Sequence, residues 1–277
     1  MTPERPSHRL SRRPARPSVA PIAIAVLGLA IGGIAQVSPA ASAARVTSDK
    51  ASQAFYATCM KLTRTNARRA LSEALAFDAT GAAFPARHCA ATAMLRLGRS
   101  ADAAVMLEGV AGELDGAATR QFRSRVYHQA AQAWLRAMDI ARADGALGRS
   151  IALDGYNSAA RLDRGLLRAQ TNRMGDAIVD FDAVVANEPK NVTALVLRAA
   201  AYRKLKRLYR AEADLKRALS LQPKHPDALL ERGIVRLARR DLPGARADWR
   251  QVLKVAPRSA AAVVARRKLV KINLRLK

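Results

Sequence analysis

The 277-residue chain carries 48 Lys and Arg against 22 Asp and Glu, a formal charge of +26, and half of its residues are hydrophobic. That apolar share excludes a disordered polyelectrolyte and leaves room for a sizeable core. Two cysteines and 4% aromatic residues exclude a disulfide-dense miniprotein and a four-cysteine zinc site.

Residues 1–18 hold Arg5, Arg9, Arg12, Arg13 and Arg16 with a single acid, Glu4, and an uncharged run follows from Val19 to Val37. Positive charge, an apolar stretch and then small residues is the order of an export signal, and Ala41-Ser42-Ala43 fits its cleavage pattern. Gly28, Gly32 and Gly33 interrupt the apolar run, whose dense part from Ile22 to Ile34 is shorter than the about 20 residues that span a bilayer. Residues 1–43 therefore read as a signal peptide, removed to leave a mature chain from Ala44 in the periplasm or outside the cell. An uncleaved inner-membrane anchor is the alternative, and both readings export the rest.

Residues 44–123 are expected to hold helix pairs of irregular pattern, Ser48 to Arg64 with Asn66 to Phe77, and a second pair starting near Phe84. Cys59 and Cys89 fall on the first helices of these two pairs. In an exported protein, on helices that lie side by side in a repeat stack, they are expected to form a disulfide. Two buried free thiols are the alternative.

From about residue 124 the chain repeats every 34 residues. Pro189, Pro223 and Pro257 form one column, Ala177, Ala211 and Ala245 a second, Phe181, Leu215 and Trp249 a third, and Gly165, Ala199 and Gly233 a fourth. One period earlier stand Ala131, Ala143, Leu147 and, at the proline place, Gly155. A weaker unit begins near Phe84, 40 residues before Ser124, so about six extra residues are assigned to the loop from Gly112 to Thr119. Each unit reads as two amphipathic helices: a small residue in the first allows close approach, a bulky one in the second fills the gap, and proline ends the pair. A fixed period of this length is the signature of a helical-repeat stack.

On these columns the chain resembles tetratricopeptide repeat proteins, strictly over 124–257 and more weakly from 84. The resemblance implies an all-α, right-handed helical-repeat solenoid. Residues 258–277, with Ser259 as N-cap, are expected to form a C-terminal capping helix.

The resemblance also implies a concave groove lined by the first helices. The places that face it in the family correspond to Arg125, His128, Gln132 and Arg136, then Leu162, Leu166 and Gln170, then Val196, Arg203 and Lys204, and last Leu230, Ile234 and Leu237. A protein or peptide partner is expected there. Packing between repeats, or against the C-terminal helix, is the other use of the apolar members. The Lys and Asn set with which some family members clamp a terminal carboxylate is absent.

Arg164, Arg198 and Arg232 recur before the small residue, and Asp180, Asp214 and Asp248 stand 16 residues after them; where one charge is missing in earlier units, so is the other. Three structural ion pairs within repeats are expected. Between Val192 and Lys277 there are 23 Lys and Arg and 6 Asp and Glu. Arg210, Lys216, Arg217, Lys224, Arg250, Lys254 and Arg258 place part of that excess on an outer, basic flank.

No catalytic motif, cofactor-binding loop or metal-ligand spacing is present, and neither an enzyme nor a bound cofactor or metal is expected. The expected function is a protein-interaction scaffold in the cell envelope. The alternative is an electrostatic module whose basic flank holds an anionic lipid or polymer. Export and the lack of interleaved aromatics argue against nucleic acid.

Overall fold

Apolar residues at three- and four-residue spacing, with Ala at the closest approaches, dictate helices in the repeats. The computed structural model describes residues 39–78, 83–114 and 120–274 and holds, among them, thirteen α-helices and no strand. The charged and apolar stretches of residues 1–37, on which the expected export signal rests, lie outside the described residues. The chain divides after Ala43, and the unit from Ala44 onward is described here.

The helices are α1 (Pro39–Thr65), α2 (Ala67–Asp78), α3 (Ala83–Arg96), α4 (Ser100–Glu113), α5 (Arg120–Arg136), α6 (Ile140–Leu153), α7 (Ser158–Gln170), α8 (Met174–Asn187), α9 (Val192–Lys204), α10 (Leu208–Leu221), α11 (Pro226–Ala238), α12 (Leu242–Val255) and α13 (Ala260–Leu274). From α2 onward each helix packs on the next in the chain, and first helices also touch across repeats, α9 on α11 and α11 on α13. Odd-numbered helices are the first of each pair. The α13 helix has no second helix among the described residues and covers α11 and α12.

From the α3–α4 pair onward, each turn inside a pair is closed by one left-handed residue: Gly98, Met138, Asn172, Lys206 and Arg240, with φ between 60° and 77°. The residue after it donates its N–H to a carbonyl five residues back, as Arg173 does to Arg168 and Asp241 to Arg236, which ends the first helix and turns the chain. Each following turn starts the next pair with a side-chain cap. Asn157, Asn191, His225 and Ser259 accept from the N–H of Ala160, Ala194, Ala228 and Ala262. The α5 helix has 17 residues where α7, α9 and α11 have 13, so part of the excess assigned to a loop before Ser124 is an added helical turn from Arg120.

The small and bulky columns meet inside the pairs. A Cβ built on Gly165 would stand 2.5 Å from Phe181, and one on Gly233 would stand 2.4 Å from Trp249, whereas Ala199 has the smaller Leu215 in the corresponding place. Phe181, Leu215 and Trp249 are fully buried. The N-terminal helices form their own core around Cys59, Ala90, Leu107 and Val126.

Candidate binding groove

Polar links run between neighbouring first helices and define their common face. The neutral His88 ring on α3 accepts at Nδ1 from Tyr56 Oη on α1 and donates from Nε2 to Gln129 Oε1 on α5, both at 2.9 Å. His128 on α5 lies 2.7 Å from Asp163 on α7. Arg203 on α9 pairs with Glu231 on α11 at 2.7 Å. Burial pushes the His88 imidazole below its usual pKa. Burial alone would raise the Asp163 carboxyl, but the His128 hydrogen bond and charge, with Gln132, hold it below the ordinary carboxylate value.

The face is more polar than its sequence columns imply. Val196 and Leu230 are only 7% and 9% exposed, so they are part of the core and not open to a ligand. Leu162, Ile234 and Leu237 are half-buried against the same core. The physical reason is the mutual contact of α7, α9, α11 and α13, which covers these side chains. Leu166, 40% exposed, is the apolar member that remains open. Arg125 is exposed and stacks over Phe122, and Gln132 is exposed beside His128.

At the last place of α3, α5, α7 and α9 stand Arg96, Arg136, Gln170 and Lys204, all exposed, and α11 ends in Ala238. No acidic partner is found for Arg96, Arg136 or Lys204 among the described residues, and with Gln170 they rim the face. Next to Arg136 a cleft of about 250 Å³ opens between α3 and α5, with Met60, Leu95 and Leu107 as its apolar wall and His88 and Gln129 as its polar one. The cleft was invisible in the sequence because its walls join four helices, α1, α3, α4 and α5. His88, Asp163 and Glu231 were missed for the same reason.

Cys59 and Cys89 are bonded, with Cα atoms 6.2 Å apart, and tie α1 to α3 beside Met60 and His88 of the cleft. The arginine and aspartate columns meet between the two helices of each pair. Arg164 reaches Asp180, Arg198 reaches Asp214 and Arg232 reaches Asp248, each through two guanidinium nitrogens. A second arginine four residues on joins two of them: Arg168 binds Asp180 and Arg236 binds Asp248. In the middle repeat that place is Tyr202, and Arg198 takes Asp182 as a second partner instead. These arginines are held by carboxylates of the stack.

On the opposite side Arg210, Lys216, Arg217, Lys224, Arg250, Lys254 and Arg258 are all exposed. Arg210 lies over the Tyr202 ring and Arg217 donates to the Pro189 carbonyl. The other five have no side-chain partner among the described residues.

The stack of helix pairs is similar to solved structures. The MamA fragment from Desulfovibrio magneticus RS-1 is 18% identical, with a TM-score of 0.52 over 73% of this chain and 97% of that one. YrrB, described as a tetratricopeptide repeat protein with an unusual peptide-binding site, is 14% identical, with a TM-score of 0.53 over 67% of this chain and 92% of that one. The fold is a tetratricopeptide repeat solenoid. No protein-family model and no curated protein matches the chain. The likeness is therefore one of architecture, and the solenoid's side chains carry any functional argument.

Proposed function

We propose that the solenoid is a non-catalytic interaction scaffold that holds an extended segment of a partner protein on its first-helix face. The supporting observation is the row Arg96, Arg136, Gln170 and Lys204 on α3, α5, α7 and α9, exposed along a face whose sequence-predicted apolar side chains, Leu166 apart, are used by the stack. Structural side chains of a repeat protein are consumed by neighbouring repeats. This row is not. The use of a peptide ligand by YrrB, which shares the fold, fits the same reading. Export from the cytoplasm belongs to the proposal and is supported by the order of charge and apolar residues in 1–43 and by the paired cysteines.

A photo-crosslinking residue tests it, placed at Leu166 or Gln170 on the first-helix face and at Val105 or Val179, both exposed on second helices. The same partner peptide should be captured from the first-helix positions only, and Arg136→Glu with Lys204→Glu should abolish that capture. Capture from Val105 and Val179 alone would overturn the assignment. A fusion of 1–60 to a reporter active only outside the cytoplasm tests export, and an inactive fusion sinks that part.

A further inference from the structure

The last two complete repeats carry a second surface on their outer helices. Lys216 and Ser220 on α10, and Arg250 and Lys254 on α12, stand four residues apart, so each pair shares one helix face at a step of about 6 Å. Lys224 and Arg258 follow in the turns that leave those helices, at the same register one repeat apart. All six residues are exposed.

The repeat fold does not demand these charges. The matching places one repeat earlier are Asp182, Ala186 and Lys190, with Asp182 bound by Arg198, and two repeats earlier they are Gly148, Ala152 and Tyr156. Nor does the helix dipole account for them: it favours a cation in the last turn, such as Lys254, but not Lys216 or Arg250 in mid-helix. The carboxylates that would neutralise the set are engaged elsewhere. Glu212 pairs with Arg239, Asp214 with Arg198, Glu231 with Arg203 and Asp248 with Arg232, while Asp241 caps its own helix and Glu188 accepts from Asn191. Asp227, on the first turn of α11, is the remaining exposed acid of this region.

We infer that this surface binds an extended acidic segment of a partner protein. Two residues of extended chain advance about 6.6 Å, against about 6 Å for four residues of helix. Carboxylates on alternate residues of such a segment therefore meet Arg250 and Lys254 in step, with Arg258 in the turn that follows α12. The α12 row contributes no exposed large apolar side chain and no exposed aromatic, since Trp249 and Val252 are buried and Leu253 is half-buried; on α10 Leu221 and Tyr209 are exposed, the Tyr209 ring beneath the Arg239 guanidinium. A bilayer-inserting surface and a base-stacking surface both need such groups along the row, and α12 lacks them. The inference is independent of the first-helix groove, which lies on the other helices.

Fluorescence anisotropy of the full chain with a labelled dodecapeptide of alternating glutamate and serine tests it. Binding should weaken as salt rises, because the contacts are exposed. Three exposed pairs are lost in the charge-reversed variant Arg250→Glu, Lys254→Glu, Arg258→Glu, which should bind about tenfold more weakly or worse. The same reversal at the exposed Lys61, Arg64 and Arg68 should change binding by less than about threefold. A peptide of the same composition with its glutamates in one block should bind less tightly than the alternating one. Circular dichroism checks that both variants are folded. Equal loss in the two variants, or no preference for the alternating peptide, overturns the inference. So does tighter binding of phosphatidylglycerol vesicles or duplex DNA that depends on the same three residues, or no peptide binding at low salt.

Discussion

The indole of Trp249 occupies the space that a side chain at residue 233 would need. A Cβ on Gly233 would fall 2.4 Å from Nε1, and that nitrogen donates instead to the Leu230 carbonyl at 3.2 Å. The ring is rigid and fully buried, so it has nowhere to move. Gly233→Ala should destabilise the chain by about 1–3 kcal/mol, the range for overpacking a filled core. In a Trp249→Leu background the same change should cost less than about 1 kcal/mol, because Ala opposite Leu is what the neighbouring repeat uses at Ala199 and Leu215. Urea unfolding of the four proteins closes the cycle. An equal cost in both backgrounds would show that the two residues are not coupled.

Removing one aspartate from each buried cluster should give unequal losses. Asp180 is fully buried, and Asp180→Ala leaves Arg164 with no carboxylate in reach; breaking a buried pair in this way costs about 3–5 kcal/mol. Asp214→Ala leaves Arg198 still bound to Asp182 at 2.8 Å, so its cost should be smaller by about 1 kcal/mol or more. The hydrogen bond that Arg198 donates to Asp214 is the first reason that it holds its proton more tightly than usual. Denaturant midpoints rank the two variants, and a larger loss at Asp214 would contradict the partner assignment.

The fold was legible because its columns are made of residues with one physical job each. Proline ends a helix, Ala and Gly permit approach, and Phe181, Leu215 and Trp249 fill what the small residues leave. Two further columns at the same period were harder to see. Met138, Asn172, Lys206 and Arg240 share a left-handed backbone but no side-chain chemistry, so only dihedral angles reveal them. Asn157, Asn191, His225 and Ser259 share a capping role, and they stand two residues past the proline place, where mixed residue types hid the pattern. The groove was less legible again. Whether Val196 or Leu166 faces a ligand depends on how closely the next first helix approaches, and that distance is set by the tertiary packing of several repeats.

Reduction of the bond between Cys59 and Cys89 should loosen one end of the stack and leave the other alone. The closed loop of 30 residues contributes about 3 kcal/mol by the chain-entropy account. Stability in a repeat stack is local to each repeat and its neighbours. Amides of α1, α2 and α3 should therefore exchange about a hundredfold faster after reduction, while those of α9 to α12 keep their rates. The Cys59→Ser, Cys89→Ser variant should show the same pattern. Uniform acceleration along the chain would mean that the N-terminal pairs and the strict repeats unfold together.

Mild acid should weaken the same end through His88. Burial lowers its pKa from 6.5, so the unfolded chain binds the proton more readily than the folded one. The neutral ring that accepts from Tyr56 and donates to Gln129 thus stabilises the fold in full above about pH 6.5, and that contribution is lost as pH falls toward the folded value. One proton sets the limit at about 1.4 kcal/mol per pH unit. The Tyr56 hydroxyl, raised by burial, titrates far above this window. Asp163, lowered from 3.8, loses its contribution only in stronger acid. Unfolding midpoints between about pH 5 and 8 should fall on the acid side for the native chain, and the slope should flatten in His88→Gln. A nuclear magnetic resonance titration of the ring should give a midpoint below that of a free histidine. A midpoint at or above the free value would mean that a charged ring is tolerated between α1 and α5, and that the neutral link does not order the cleft.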